Sequence, residues 1–359
     1  MTWKEYELTN RTIADWLPWS AITHENVMRC RDDGSVFGII RYQPFRSLAG
    51  KQQRIALPSL GRGWCFWVEE QCASPDELSC YLTVFWNPFE KTDGMIRNAP
   101  DGEPVRLADM EEALAVFLHR LARSFPEEAE AKVLAYQEII DVLVYTLAMN
   151  RARFEMPDPP VDLDAFLTQD LEFDFSQNRV RLNGEGFLVV SLPSVVGSSN
   201  RIIDELLQTL AGRGCPGRHV QRISLFDEAA AKKEMRKYTG RWCISRHYIK
   251  ELLLKDAIGN LNGYYNHQLI FLLPEAESSR QIAFLEQKLT DAGLPFVLED
   301  FNAKSFWWGS IPAIHTAAVC PPICCFDAIE ELLVTTDGEE AAADVSDESF
   351  PKETASDFG

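Results

Sequence analysis

Positive charge is scarce in this sequence: 35 lysines and arginines stand against 54 aspartates and glutamates in 359 residues, a formal net charge of −19. Sequence-independent binding along a nucleic acid backbone needs a dense positive face, so this balance argues against it while leaving room for a local basic patch. A phosphate-cradling loop is also missing. The one Gly-Lys pair, Gly50-Lys51, is followed by Gln52, and the G-x-G spacing of Gly184 and Gly186 meets Val189 where a third glycine is required. No apolar run approaches the length of a membrane span, and the most apolar helical stretch, Ile139 to Met149, carries Asp141. The opening MTWKEYELTNRT has no basic region leading into an apolar one, so a secretory signal is not expected.

Chemistry-bearing clusters are equally thin. The nine cysteines are scattered through strand-like and helical surroundings, which suits small buried hydrophobes in a reducing compartment and not a disulfide framework. His315, Cys320, Cys324 and Cys325 lie close together, but adjacent cysteines in an apolar run do not supply the two knuckles of a tetrahedral zinc site. Cys243 has His247 four residues on, yet no third group to orient that base. Glu69-Glu70 and Glu111-Glu112 read as solvated faces or edges, not as acid and base couples. No catalytic residue, cofactor or metal is therefore expected, and the balance leans away from an enzyme.

What is present is core-forming material: 46% of the residues are hydrophobic. Residues 1–100 read as a mainly antiparallel sheet, with an Asp33-Gly34 turn before SVFGIIRY and further strands in GWCFWVEE and CYLTVFW. Residues 101–175 read as a helical section. Met110, Leu114, Phe117, Leu118 and Leu121 form one stripe, and Val133, Tyr136, Ile140, Leu143, Val144 and Leu147 form a second, in a helix expected to start near Pro126.

Residues 176–320 alternate strand and helix. Asn183-Gly184 marks a hairpin turn, Asn200 to Leu210 an amphipathic helix, Gln268 to Leu273 a strand, and Gly293 a helix C-cap before a strand at Phe296 to Leu298. Two strand, helix, strand units suggest a split βαβ, ferredoxin-like arrangement, giving an α+β fold overall. Residues 321–335 then form a junction. Between Asp327 and Gly359 eleven acidic residues face Lys352 alone, so 336–359 reads as a disordered acidic tail.

Two features stand out as interaction candidates. Lys233, Arg236 and Arg246 belong to a basic segment, 232–246, that suits an acidic partner, lipid headgroups or nucleic acid, although an ordinary charged surface explains it as well. Trp307, Trp308, Gly309, Ser310 and Pro312 describe a tight apolar turn, either packed against the rest of the fold or left as a docking surface.

The order of these motifs resembles the N-terminal, pre-motor region of the TrbE/CagE/VirB-type ATPases of conjugation and type IV secretion. The likeness covers about residues 10 to 335, from DWLPW at Asp15 to Trp19 through GWCFWVEE and YLTVFWNP to GLPFVLEDFNAKSFWWGSIPA. That last stretch is similar to the family's glycine, glutamate, asparagine and Gly-Ser-Leu-Pro-Gly signature, carried by Gly293, Glu299, Asn302, Gly309, Ser310, Ile311, Pro312 and Ala313, with alanine where glycine is usual. The resemblance implies a non-catalytic docking and oligomerisation component of the transfer apparatus. Its partners would be other apparatus subunits, copies of itself and a chain bearing the RecA-like motor, which is expected to be missing here. It would be cytoplasmic, with peripheral association at the inner membrane. The alternatives are a transfer ATPase subunit whose nucleotide site comes from a separate chain, and a nucleic-acid-binding module using 232–246.

Overall fold

In the computed structural model, residues 17–30, 34–46, 63–87, 90–92, 95–97, 107–150, 163–168, 171–175, 180–192, 199–225, 261–274, 278–300, 303–314, 323–325 and 334–336 are described. The segments 232–246 and 337–359 lie outside them, as does most of the junction 321–335. The N-terminal strands are β1 (Trp19–His24), β2 (Val27–Cys30), β3 (Val36–Tyr42), β4 (Phe45–Arg46), β5 (Trp64–Ser74), β6 (Glu77–Trp86), β7 (Glu90–Thr92) and β8 (Met95–Arg97). Then come α1 (Leu107–Ser124), β9 (Lys132–Val133), α2 (Tyr136–Ala148), α3 (Leu163–Thr168), β10 (Phe173–Asp174), β11 (Arg181–Leu182), β12 (Glu185–Ser191), β13 (Ser199–Asn200), α4 (Arg201–Ala211) and β14 (Gly217–Leu225). The last elements are β15 (Leu261–Leu273), α5 (Ser278–Asp291), β16 (Val297–Leu298), α6 (Ala303–Ser310), β17 (Ile323–Cys325) and β18 (Val334–Thr336).

The fold is mixed α+β around one large sheet ordered β1-β2-β3-β6-β5-β14-β15-β12-β11-β10, with β9, β16 and β17 added to β3, β12 and β15. Its neighbours pair antiparallel throughout. The seam between the early and late strands is β5 with β14, where Gly217 to Ser224 run against Cys72 to Cys65. β12 and β14 flank β15, both antiparallel to it, so they run parallel to each other with α4 as their connection. β16 joins the other side of β12 at Val190 and Ser191, and is parallel to β15, to which α5 connects it.

Both faces of this sheet are covered, because its strands carry apolar residues at both parities of the two-residue repeat. On the first face Phe37, Ile39, Cys65, Trp67, Val220 and Ile270 pack with α2, α3 and α6. On the second, Ile40, Phe66, Val68 and Leu82 pack under α1, while Val190, Leu269 and Phe271 pack under α4 and α5. Cys30, Cys65, Cys72, Cys80 and Cys215 are buried and form no disulfide. Among the described residues no helix is long and apolar enough to cross a membrane.

Three local expectations change. Val133 is not helical: Lys132 and Val133 pair with Arg41 and Ile40 of β3, and α2 begins only at Tyr136. The helical stripe was real from residue 136 onward, but the open edge of β3 took the residues before it. β15 begins at Leu261, seven residues before the apolar run starts, since pairing with β14 satisfies backbone groups whatever the side chains are. Trp307 to Ser310 form the last turn of α6, and the tight turn follows them, with Ala313 at φ 69. The hairpin turn and the C-cap are where the sequence placed them. Asn183 and Gly184 have φ 51 and 87, and Gly293 has φ 66, left-handed values that glycine adopts without steric penalty.

Candidate functional site: two polar clusters on one strand pair

The seam between β5 and β14 sets Glu69 opposite Val220 and Gln71 opposite Arg218, while Glu70 lies opposite His219. Successive residues of a strand point to opposite faces, so Glu69, Gln71, Arg218 and Arg222 enter one core and Glu70 and His219 the other. All six are buried: Glu69 and Glu70 expose 1% and 0% of their surface, Arg218 and His219 0% and 1%. The expectation that Glu69-Glu70 marks a solvated edge is therefore overturned, because β5 lies in the middle of the sheet with helices over both faces. Glu111 is likewise buried, with its carboxylate paired to Arg29 (Nε to Oε1, 2.8 Å), while Glu112 faces solvent.

On the first face Glu69 Oε1 accepts hydrogen bonds from Gln71 Nε2 at 2.9 Å, Arg218 Nη1 at 3.3 Å and Thr146 Oγ1 of α2 at 3.4 Å. Arg218 also donates to the Ser310 carbonyl at 3.2 Å and to the Ser310 hydroxyl. Arg222 donates to the carbonyls of Gly309 (3.2 Å) and Ile314 (3.1 Å). Two indoles complete the set: Trp67 Nε1 donates to the Gly309 carbonyl at 3.3 Å and Trp19 Nε1 to the Pro312 carbonyl at 3.0 Å.

This arrangement is a buried C-cap. The last carbonyls of a helix have no partner within it and carry its negative end; here Arg218 and Arg222 of β14 and Trp67 of β5 take the Gly309 and Ser310 carbonyls, and Trp19 of β1 holds the Pro312 carbonyl in the turn just beyond. Burial pulls the Arg218 and Arg222 guanidiniums down from their ordinary value, with Glu69 opposing the shift at Arg218, and both keep their charge.

The sequence-derived interaction residues thus fall inside the fold. Trp307 is fully buried, in an aromatic cluster with Phe173, Phe175 and Phe187, and Trp308 is partly buried, stacked on Phe175 with ring centroids 5.6 Å apart. Gly309, Ser310 and Pro312 are the capped segment itself. Lys233, Arg236 and Arg246 lie outside the described residues. Upstream, Ser191 Oγ donates to Glu299 Oε1 at 2.7 Å, while half-burial pushes the Glu299 carboxyl up.

On the second face Glu70 Oε2 lies 2.8 Å from His219 Nδ1, and His219 Nε2 lies 2.6 Å from His267 Nε2 of β15. Burial pushes the Glu70 carboxyl well up, and its other oxygen, Oε1, has no hydrogen-bond partner among the described residues. Cys80, opposite Glu70 on β6, is pushed up by burial and then by the charges of Glu70 and of Asp204 on α4. Among the described residues no group of three or more His, Cys, Asp or Glu side chains is arranged to hold a metal ion.

Sequence reasoning singles out Glu69-Glu70 and the basic residues Arg218, His219 and Arg222, but does not pair them with one another. A signal existed: two acids in WCFWVEEQC and an Arg-His pair in GRHVQRISL occupy both parities of otherwise apolar strands. Buried charges have to be paired, so such matched doublets point to partners. No protein-family model matches the chain, and no curated protein gives a significant match.

Proposed function

We propose that the chain is a docking and oligomerisation component of a conjugative transfer or type IV secretion apparatus, built like the pre-motor region of its transfer ATPase. The observation that carries this reading is the capture of Gly309 to Pro312, the segment on which the resemblance is strongest. Trp19, Trp67, Arg218 and Arg222 grip its carbonyls from three strands. A grip of that kind fixes the direction in which the chain leaves the sheet, which is what a unit positioning a following or partnering motor needs. Ala313 adds to it: its φ of 69 is a conformation that favours glycine, and glycine is what the resembled signature has there.

The strand pairings support the finer fold reading. β12-α4-β14 and β15-α5-β16 each form a split βαβ unit, and the order β14-β15-β12-β16 is that of a ferredoxin-like domain. In this reading the unit self-associates and docks at the cytoplasmic face of the inner membrane beside other apparatus subunits. ATP hydrolysis belongs to the motor, not to these residues.

The test uses the purified chain with the product of a neighbouring reading frame that bears a phosphate-binding loop. Co-elution in a defined assembly by light scattering, with no saturable binding of a fluorescent ATP analogue by the chain alone, is expected. Micromolar analogue binding by the chain alone, or separate elution of the two, overturns the reading.

A further inference from the structure

We propose that Arg213, Phe284 and Lys288 form a docking site, where α4 meets α5, for an acidic peptide segment of a partner protein held through two of its carboxylates. The site rests on charge and geometry alone, so it stands or falls separately from the reading above.

A helix end and a helix face build it. α4 stops at Ala211, and the turn beyond is pinned: the Arg213 N–H donates to the Leu210 carbonyl at 2.9 Å, and Gly214 takes a left-handed φ of 77. That turn delivers the Arg213 side chain to α5. Its guanidinium carbon lies 3.8 Å from the Phe284 ring centre, and its Nη1 donates to Gln281 Oε1 at 3.5 Å. On α5, Phe284 and Lys288 are four residues apart and share a face, and the Lys288 ammonium is 5.8 Å from the same ring centre. Arg280 continues the stripe one turn earlier. A cation held against a π face keeps its charge while losing freedom of movement, so the ring presets the two charges at no more than about 10 Å from each other.

These cations differ from others on the surface in having no counter-charge. Arg29, Lys132 and Arg201 are each paired with a carboxylate. Among the described residues Arg213, Arg280 and Lys288 form no ion pair, in a chain with 54 acidic residues against 35 basic. All three are exposed, and the Phe284 ring they surround is half-buried.

Charge and size select the occupant. An extended peptide sets alternate side chains about 7 Å apart on one side, so carboxylates two positions apart reach both cations in charge-assisted hydrogen bonds. Single-stranded nucleic acid would run on from this patch over a chain of net charge −19 and be repelled there. A bilayer finds no anchor, since Arg213 and Lys288 lie against the ring that would have to insert.

The experiment titrates the full chain into a fluorescein-labelled octapeptide of alternating glutamate and serine at about 50 mM salt, read by fluorescence anisotropy. Saturable binding is expected. Arg213→Gln and Lys288→Gln should each raise the Kd at least about tenfold, the worth of one charge-assisted hydrogen bond. Arg120→Gln removes the same charge from an exposed position on α1 and should change it less than about twofold. No binding, or an equal loss in all three variants, overturns the proposal. Tighter binding of an oligothymidylate or of phosphatidylserine vesicles than of the peptide assigns the patch to another class of partner and overturns it as well. Carbodiimide coupling decides independently of any variant. Lys288 should become joined to a glutamate of the peptide, and a bond to a carboxylate of the chain itself, or no bond with the peptide saturating, would refute the site.

Discussion

One residue separates Glu69 from Glu70 and Arg218 from His219, and that step divides two kinds of buried polar chemistry. On one face a carboxylate meets a guanidinium that stays charged across the accessible pH range, and the pair is spent on holding the end of α6. On the other a carboxyl that burial pushes well up meets an imidazole, and that imidazole lies against a second one. The strand pair and the depth are the same. The difference lies in the partner: on the permanent face a guanidinium holds the end of a helix, and on the conditional face a carboxyl raised by burial meets an imidazole.

The sharpest way to break this comparison is Arg218→Met, which leaves Glu69 buried without its cation and the Ser310 carbonyl without its donor. A loss of about 3–5 kcal/mol in urea denaturation is expected, and adding Glu69→Leu should return most of it, because desolvation of the orphaned charge is the dominant cost. A loss below about 1 kcal/mol would show that the pair does not form in solution.

Glu70→Gln tests the conditional face. Burial raises the folded-state pKa of Glu70 above its unfolded value, so its contribution is complete below the unfolded value and is lost as pH rises through the folded one. Melting curves of wild type and variant across pH 4 to 9, taken as a difference, should therefore move in favour of Glu70→Gln as pH rises.

The smallest effect concerns the captured turn. Ala313→Gly relieves a left-handed alanine costing about 1 kcal/mol, but adds freedom to the unfolded chain, leaving a net gain of about 0.5 kcal/mol. A thermal shift upward of one or two degrees would register it, and a downward shift would mean that the turn relaxes differently.

Much of the architecture was legible from local rules. Periodic apolar stripes gave α1, α4 and α5, alternation gave β6, and the left-handed needs of Asn183-Gly184 and Gly293 placed a hairpin and a helix end. The expected turn at Trp307 to Pro312 was correct in its apolar character and shifted in position, since α6 runs on through Ser310 before the chain turns.

The sequence by itself determined the long strands and helices with regular apolar spacing, because those choices depend on residues a few positions apart; β9, the first half of β15 and α6 depended on tertiary pairing and packing. It could not determine the partners of Glu69, Glu70, Arg218 and His219. Arg218 is 149 positions from Glu69, as His219 is from Glu70. Only the β5–β14 register brings them level, and only the helices on both faces remove the water that would otherwise make these charges ordinary surface groups. Burial is a property of the whole assembly, and it is burial that turned two doublets of charge into a helix cap and a carboxyl–imidazole–imidazole chain.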